Sequence, residues 1–180
     1  MRSRELAAGL ALLLAAGSAC AATAEATALS APNVVAITPR LVTSGQPPAK
    51  TLAALASQGF QAVIYLAPPT VHDAVRDEAV IVGRQGLVFA NIPIRFDDPT
   101  ERDYEAFAAM LGGLADRKVL VHCQINMRAS SLVFLYRVIA LKENPDHAYE
   151  AVARIWSPDG VWKRFIVTML RKHGVGFEPY

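Results

Sequence analysis

Short apolar runs alternate with amphipathic stretches along most of this chain, and that alternation sets the expected architecture. Val34 to Ile37 and Leu41 to Val42 are brief strand candidates; Phe60 to Leu66, Leu87 to Ile94 and Lys118 to Cys123 are mostly apolar runs of strand length. Between them, Lys50 to Gln58 reads as a helix stopped by Gly59, and Val71 to Gln85 as a helix stopped by Gly86. Thr100 can cap a helix running to about Asp116, with Asp103 in the reciprocal position of a capping box. Further helices are expected over Ala129 to Glu143, Asp146 to Trp156 and Val161 to His173, the last two parted by the turn Ser157-Pro158-Asp159-Gly160. Strands that alternate with helices predict a three-layer α/β fold, a mainly parallel central sheet flanked by helices. The nearly continuous apolar run ending at Cys123 is expected at the buried centre of that sheet.

The N-terminus departs from this pattern. Arg2 and Arg4 precede a short apolar run from Leu6 to Gly17, and small residues follow, with Ala19-Cys20-Ala21 as a cleavage site. The run falls short of the roughly 20 residues that cross a bilayer. Residues 1–21 are therefore expected to be a signal peptide, 22–32 a flexible tether and 33–180 a single domain. The expected location is exported, periplasmic or secreted; a lipid on Cys20 would instead anchor the chain to a membrane. Formal net charge is only +2, which argues against general nucleic-acid binding.

Export sharpens the cysteine count. Cys20 and Cys123 are the only two, so cleavage after Ala21 leaves Cys123 unpaired, a candidate reactive thiol. The stretch His122-Cys123-Gln124-Ile125-Asn126-Met127-Arg128 sits where a buried strand ends and a helix starts. Ligands bind at that edge of an α/β sheet. The helix start supplies unpaired N–H groups that favour a thiolate and a bound oxyanion. Arg128 adds a planar fork able to hold two phosphate oxygens. Cys123 is thus the candidate nucleophile, Arg128 the clamp, and Gln124, Ile125, Asn126 and Met127 the cradle.

This segment resembles the signature loop of the protein tyrosine/dual-specificity phosphatase superfamily. Ser44-Gly45-Gln46-Pro47, the Leu52/Leu55 helix and the run from Gly59 to Leu66 are similar to a bacterial dual-specificity-like subgroup. That subgroup includes the phosphatase-like domain found beside beta-lactamase-like hydrolases. The resemblance spans roughly Val34 to Leu141 and implies a thiol-phosphate intermediate on Cys123. Two features depart from the superfamily: four residues rather than five separate Cys123 from Arg128, and the loop has no glycine. Asn126 stands where glycine is frequent, and Asn is the next most tolerant of a left-handed backbone.

The resemblance also implies an acid on the loop after Ile92-Pro93-Ile94. Asp97 is the preferred residue and Asp98, which precedes Pro99, the auxiliary one. His122 is an auxiliary candidate that could tune the Cys123 thiolate or order the loop, but strand neighbours face opposite ways, so a structural role with its side chain pointing away from the pocket is the expectation. Ser130 is either a donor to the Cys123 sulfur or an ordinary first-turn serine. His72, His147 and His173 lack ligand spacing, so neither metal nor cofactor is expected. Trp156 and Trp162 are expected to fasten the C-terminal helices to the core. A phosphorylated protein or small molecule is the expected substrate. The shortened loop also suits a rhodanese-like sulfurtransferase, and a degenerate loop a phospholigand-binding protein without turnover.

Overall fold

The computed structural model describes residues 29–180, so the leader read at 1–21 and most of the tether read at 22–32 lie outside the described residues. A five-stranded sheet has the order β1-β2-β5-β3-β4. Its strands are β1 (Val35–Thr38), β2 (Leu41–Ser44), β3 (Ala62–Tyr65), β4 (Val88–Asn91) and β5 (Val119–His122). Only β1 runs antiparallel to its neighbour; the other pairings are parallel, as expected. β5 is central and its four residues are all buried, which accounts for its continuous apolar run.

Alternation along the strands supplies two apolar layers. Ala62 and Ile64 of β3 and Val119 and Val121 of β5 face a large core shared with α3 (Glu101–Gly112), α4 (Met127–Ile139), α5 (Pro145–Ala153) and α6 (Gly160–Lys172). Val63 and Leu120 face a smaller one, packed by Leu52 and Leu55 near α1 (Ala49–Leu52) and by Val82 of α2 (Glu78–Gly83). Thr100 and Asp103 form the expected capping box: the Thr100 hydroxyl accepts from the Asp103 amide, and the Asp103 carboxylate accepts from the Thr100 amide. Such a cap stabilises the start of α3 by about 1 kcal/mol.

Three expectations need correction. The helix read from Lys50 to Gln58 is broken into α1 and a 3₁₀ turn, Ala56–Gln58. Gln85 causes the break: its amide donates to the Leu52 carbonyl and its oxygen accepts from the Ala56 amide, the two groups a continuous helix would join to each other. Gly59 does end the segment, in the left-handed region at φ 79°.

The helix read from Val71 to Gln85 starts only at Glu78, behind Asp77 with φ 60°. Residues 70–77 form turns instead, with Val71 and Ala74 packed on the large core and Val75 on the small one. The segment therefore wraps around the C-terminal edge of the sheet, and its apolar spacing serves two layers, not one helix face. The tether, lastly, ends before residue 32. Leu29 packs on the smaller core, and the Pro32 carbonyl accepts from the Gly45 amide at 2.7 Å.

Candidate active site

β5 delivers Cys123 to the C-terminal edge of the sheet, and α4 begins four residues later. The turn between them depends on Asn126, which adopts φ 72°. A β-branched residue would be strained there, whereas Asn tolerates it. The Asn126 side chain also fastens the turn, donating to the Asn33 carbonyl at 2.6 Å and to the Thr43 hydroxyl at 3.0 Å. The first backbone bond of α4 runs from the Ser130 amide to the Asn126 carbonyl, so the amides before it are left to face an anion.

The Ser44 to Pro47 stretch braces this loop from the side. The Cys123 amide donates to the Ser44 carbonyl at 3.3 Å, and the Gln46 amide donates to the Gln124 carbonyl at 2.9 Å. Gly45 makes the close approach possible. A Cβ there would lie 2.7 Å from the Gln124 carbonyl oxygen and 2.9 Å from Pro32 Cβ. Gly45→Ala should therefore displace the loop, at about 1–3 kcal/mol of stability and with a loss of oxyanion affinity. Urea unfolding and phosphate titration of the variant would check both.

Arg128 lies in the first turn of α4 and is 5% exposed. Its Nε donates to the Ile94 carbonyl at 3.0 Å and one Nη to the Gln124 side-chain oxygen at 3.4 Å. The other Nη has no protein hydrogen bond among the described residues. The guanidinium also lies 5.0 Å from the centre of the Phe96 ring. Phe96 packs in turn against Trp156 and Trp162, and Trp162 donates its indole N–H to the Phe96 carbonyl at 2.8 Å. The two tryptophans thus do more than fasten α6: they set the residue on which the clamp rests.

His122 points away from Cys123, to the side of the smaller core, as strand alternation requires. It is fully buried, stacks on Tyr65 with ring centres 4.8 Å apart, and bonds through Nε2 to Glu78 at 2.7 Å. Glu78 also accepts from the Gln46 side chain at 2.8 Å. Burial, reinforced by Glu78 and Asp73, pushes the Tyr65 phenol well above its ordinary range and keeps it a neutral donor.

The structure gathers Cys123, Gln124, Asn126, Met127 and Arg128 on one turn, with Ile125 projecting into solvent. Ser130 donates to the Met127 carbonyl, the bond of a first-turn serine. Asp97, one residue after Phe96, is engaged by another group. Its carboxylate is gripped by both ends of the Arg95 guanidinium, at 3.1 and 2.7 Å, on an exposed surface. That hydrogen-bonded pairing holds Asp97 below the usual carboxylate range. Asp97 and Asp98 border a hollow against Val161, Arg164 and Thr168 of α6. The carboxylate that meets the signature loop is Asp73, whose Oδ1 accepts from the Gln124 side-chain amide at 2.8 Å.

Sequence reasoning singled out none of Asp73, Glu78, Gln46 as a hydrogen-bonding residue, or Phe96. Glu78 and His122 are 44 positions apart and Asp73 and Gln124 are 51 apart, so no local spacing announces them.

Residues 30–159 match the family described as PTP-NADK, a DSP-PTPase phosphatase fused to NAD+ kinase. A beta-lactamase hydrolase-like protein of Xylella fastidiosa strain Temecula1 is 32% identical over 113 residues, 59% of this chain. The chain spans about a quarter of the length of that relative. Among solved structures, a DUF442 phosphatase from Shewanella putrefaciens CN-32 superposes with a TM-score of 0.72 at 28% identity, over 82% of this chain and 93% of that one. TpbA of P. aeruginosa shares the fold, with a TM-score of 0.59 at 20% identity, over 78% of this chain and 84% of that one.

Proposed function

Because the chain belongs to the PTP-NADK family of DSP-PTPase phosphatases, we propose that it hydrolyses phosphate monoesters through a phosphocysteine intermediate on Cys123. The observation that carries this reading is the turn from β5 into α4. It sets Cys123 at the end of β5, four residues before the unpaired amides that start α4, and Arg128 in the first turn of that helix with one Nη free of protein hydrogen bonds among the described residues. In the proposed first step the Cys123 thiolate attacks phosphorus and the ester P–O bond breaks. Arg128 and the amides of the turn hold the phosphoryl oxygens as charge builds on them. Water then attacks phosphorus, the S–P bond breaks with its electron pair returning to sulfur, and inorganic phosphate leaves. A carboxylic acid must protonate the departing ester oxygen. Asp97 can do so only in a conformation that has released Arg95, since both its oxygens are taken by that cation.

Phosphotyrosine is the proposed substrate type, and the exposed side chains of Phe96 and Ile125 support it by giving an aromatic ester apolar surface beside the loop. The proposed location, exported and soluble, rests on the charge and apolar pattern of residues 1–21.

Freshly reduced protein should hydrolyse p-nitrophenyl phosphate without added metal and be inhibited competitively by vanadate, which mimics the trigonal-bipyramidal phosphoryl group. Turnover indifferent to vanadate, or none at all, would overturn the proposal; sulfur transfer from thiosulfate to cyanide without phosphate turnover would replace it by a sulfurtransferase.

A further inference from the structure

We infer that a cavity at the opposite edge of the sheet from Cys123 binds a small amphiphilic anion, an acyl chain ending in a carboxylate. The cavity has a volume of about 270 Å³ and lies where β2 and β5 begin, at Leu41 and Val119. Cys123 follows the other end of β5, so roughly 13 Å of strand separates the cavity from the phosphate cradle. No step of the proposed hydrolysis uses it.

Three observations set the chemistry of its occupant. The walls are apolar. Leu111 and Leu114, in and just after α3, are buried, while Leu141, just after α4, is 53% exposed and carries the apolar surface outward. Two cations stand against these walls: Arg40 and Arg117 both line the cavity, and no carboxylate does. The arginine ion pairs among the described residues belong to Arg95, Arg137 and Arg171, so neither cavity arginine is neutralised by the protein.

The third observation is Tyr136 of α4, which lines the same cavity and is only 9% exposed. Its ring is held edge-on against fully buried Phe107, and its hydroxyl lies beside Gly112, 3.6 Å from where a Cβ would stand. That hydroxyl has no protein hydrogen bond among the described residues. Buried polar groups are nearly always paired, so an unpaired one facing a cavity is a donor held ready for an occupant. Guanidinium forks and a hydroxyl together suit a carboxylate, which accepts on both oxygens. The leucines suit its chain. The volume falls just under the ~300 Å³ at which small-molecule pockets begin, so a medium-length acyl carboxylate fits and a two-chained lipid does not.

Calorimetric titration of the protein with octanoate, octanol and butyrate tests this. Octanoate should bind with a Kd of about 0.1–1 mM, ordinary for a ligand of its size. Octanol, which has the chain without the charge, and butyrate, which has the charge on a short chain, should each bind about tenfold more weakly or less. Arg40→Gln combined with Arg117→Gln should weaken octanoate about tenfold or more and bring it level with octanol. Tyr136→Phe should cost about three- to tenfold. Leu141→Asp, made on an exposed side chain, should abolish octanoate binding, and an unchanged urea midpoint would show that the fold is intact. No binding of octanoate at about 10 mM, octanol binding as tightly, or full affinity in the double glutamine variant would overturn the inference. So would a dimer in sedimentation that Leu141→Asp dissociates, since a second copy would then cover the cavity.

Discussion

Cys123→Ser should lower aryl-phosphate turnover by about 10⁴-fold or more, while binding of tungstate or inorganic phosphate changes less than about tenfold. The two halves of this expectation come from different parts of the site. Turnover needs a polarisable thiolate at the end of β5, and a serine hydroxyl at that position has no adjacent base to activate it: Ser130 donates to the Met127 carbonyl, and His122 is turned to the opposite side of β5. Binding, by contrast, depends on the amides at the start of α4 and on Arg128, none of which the substitution touches. The backbone bond from residue 123 to the Ser44 carbonyl also persists. Steady-state kinetics and calorimetric titration of the same sample would separate the two. A variant retaining a tenth of parental turnover would place the nucleophile elsewhere.

Glu78→Ala should destabilise the fold by about 3–5 kcal/mol, a large share of the roughly 5–15 kcal/mol that holds a domain of this size together. The reason is the number of groups the carboxylate satisfies. Fully buried His122 and Gln46 both bond to it, and Nδ1 of His122 has no partner to fall back on. Removing one side of a buried pair leaves the other stranded, at far greater cost than the pair itself is worth. Glu78→Gln keeps an oxygen for one of those contacts, so about 1–2 kcal/mol is expected for it. Urea unfolding of the two variants gives the comparison. A loss below about 1 kcal/mol in Glu78→Ala would mean that water enters and replaces the carboxylate.

The central strands and the α3 cap were readable because each is a local pattern: a run of apolar residues, or Thr100 three positions before Asp103. Cys123 and Arg128 were readable for a related reason, since strand, turn and helix are contiguous. The left-handed Asn126 was foreseeable from the missing glycine alone. The loop of residues 70–77 was not, because apolar residues that serve two layers mimic one amphipathic face. Nor was the break at Leu52 and Ala56, which depends on a side chain some 30 positions later. The hydrogen-bond partners of Asp97 and Asp73 were not readable either. In sequence Asp97 has the right neighbours, yet Arg95 two residues away claims it, and Gln124 claims Asp73.

The contacts of Pro32 and Asn33 give the N-terminal boundary of the domain an unusual status. The Pro32 carbonyl holds Gly45; the Asn33 carbonyl holds the side chain of Asn126, and the Asn33 amide group donates to the carbonyl of Ile125. The point where the chain enters its globular part is therefore a splint on the phosphate cradle. The length of chain kept ahead of Asn33 would then act as a setting on the proposed catalysis. Cleavage upstream of Leu29 leaves the splint whole, whereas a cut past Asn33 would release the cradle without touching a single residue that meets phosphate.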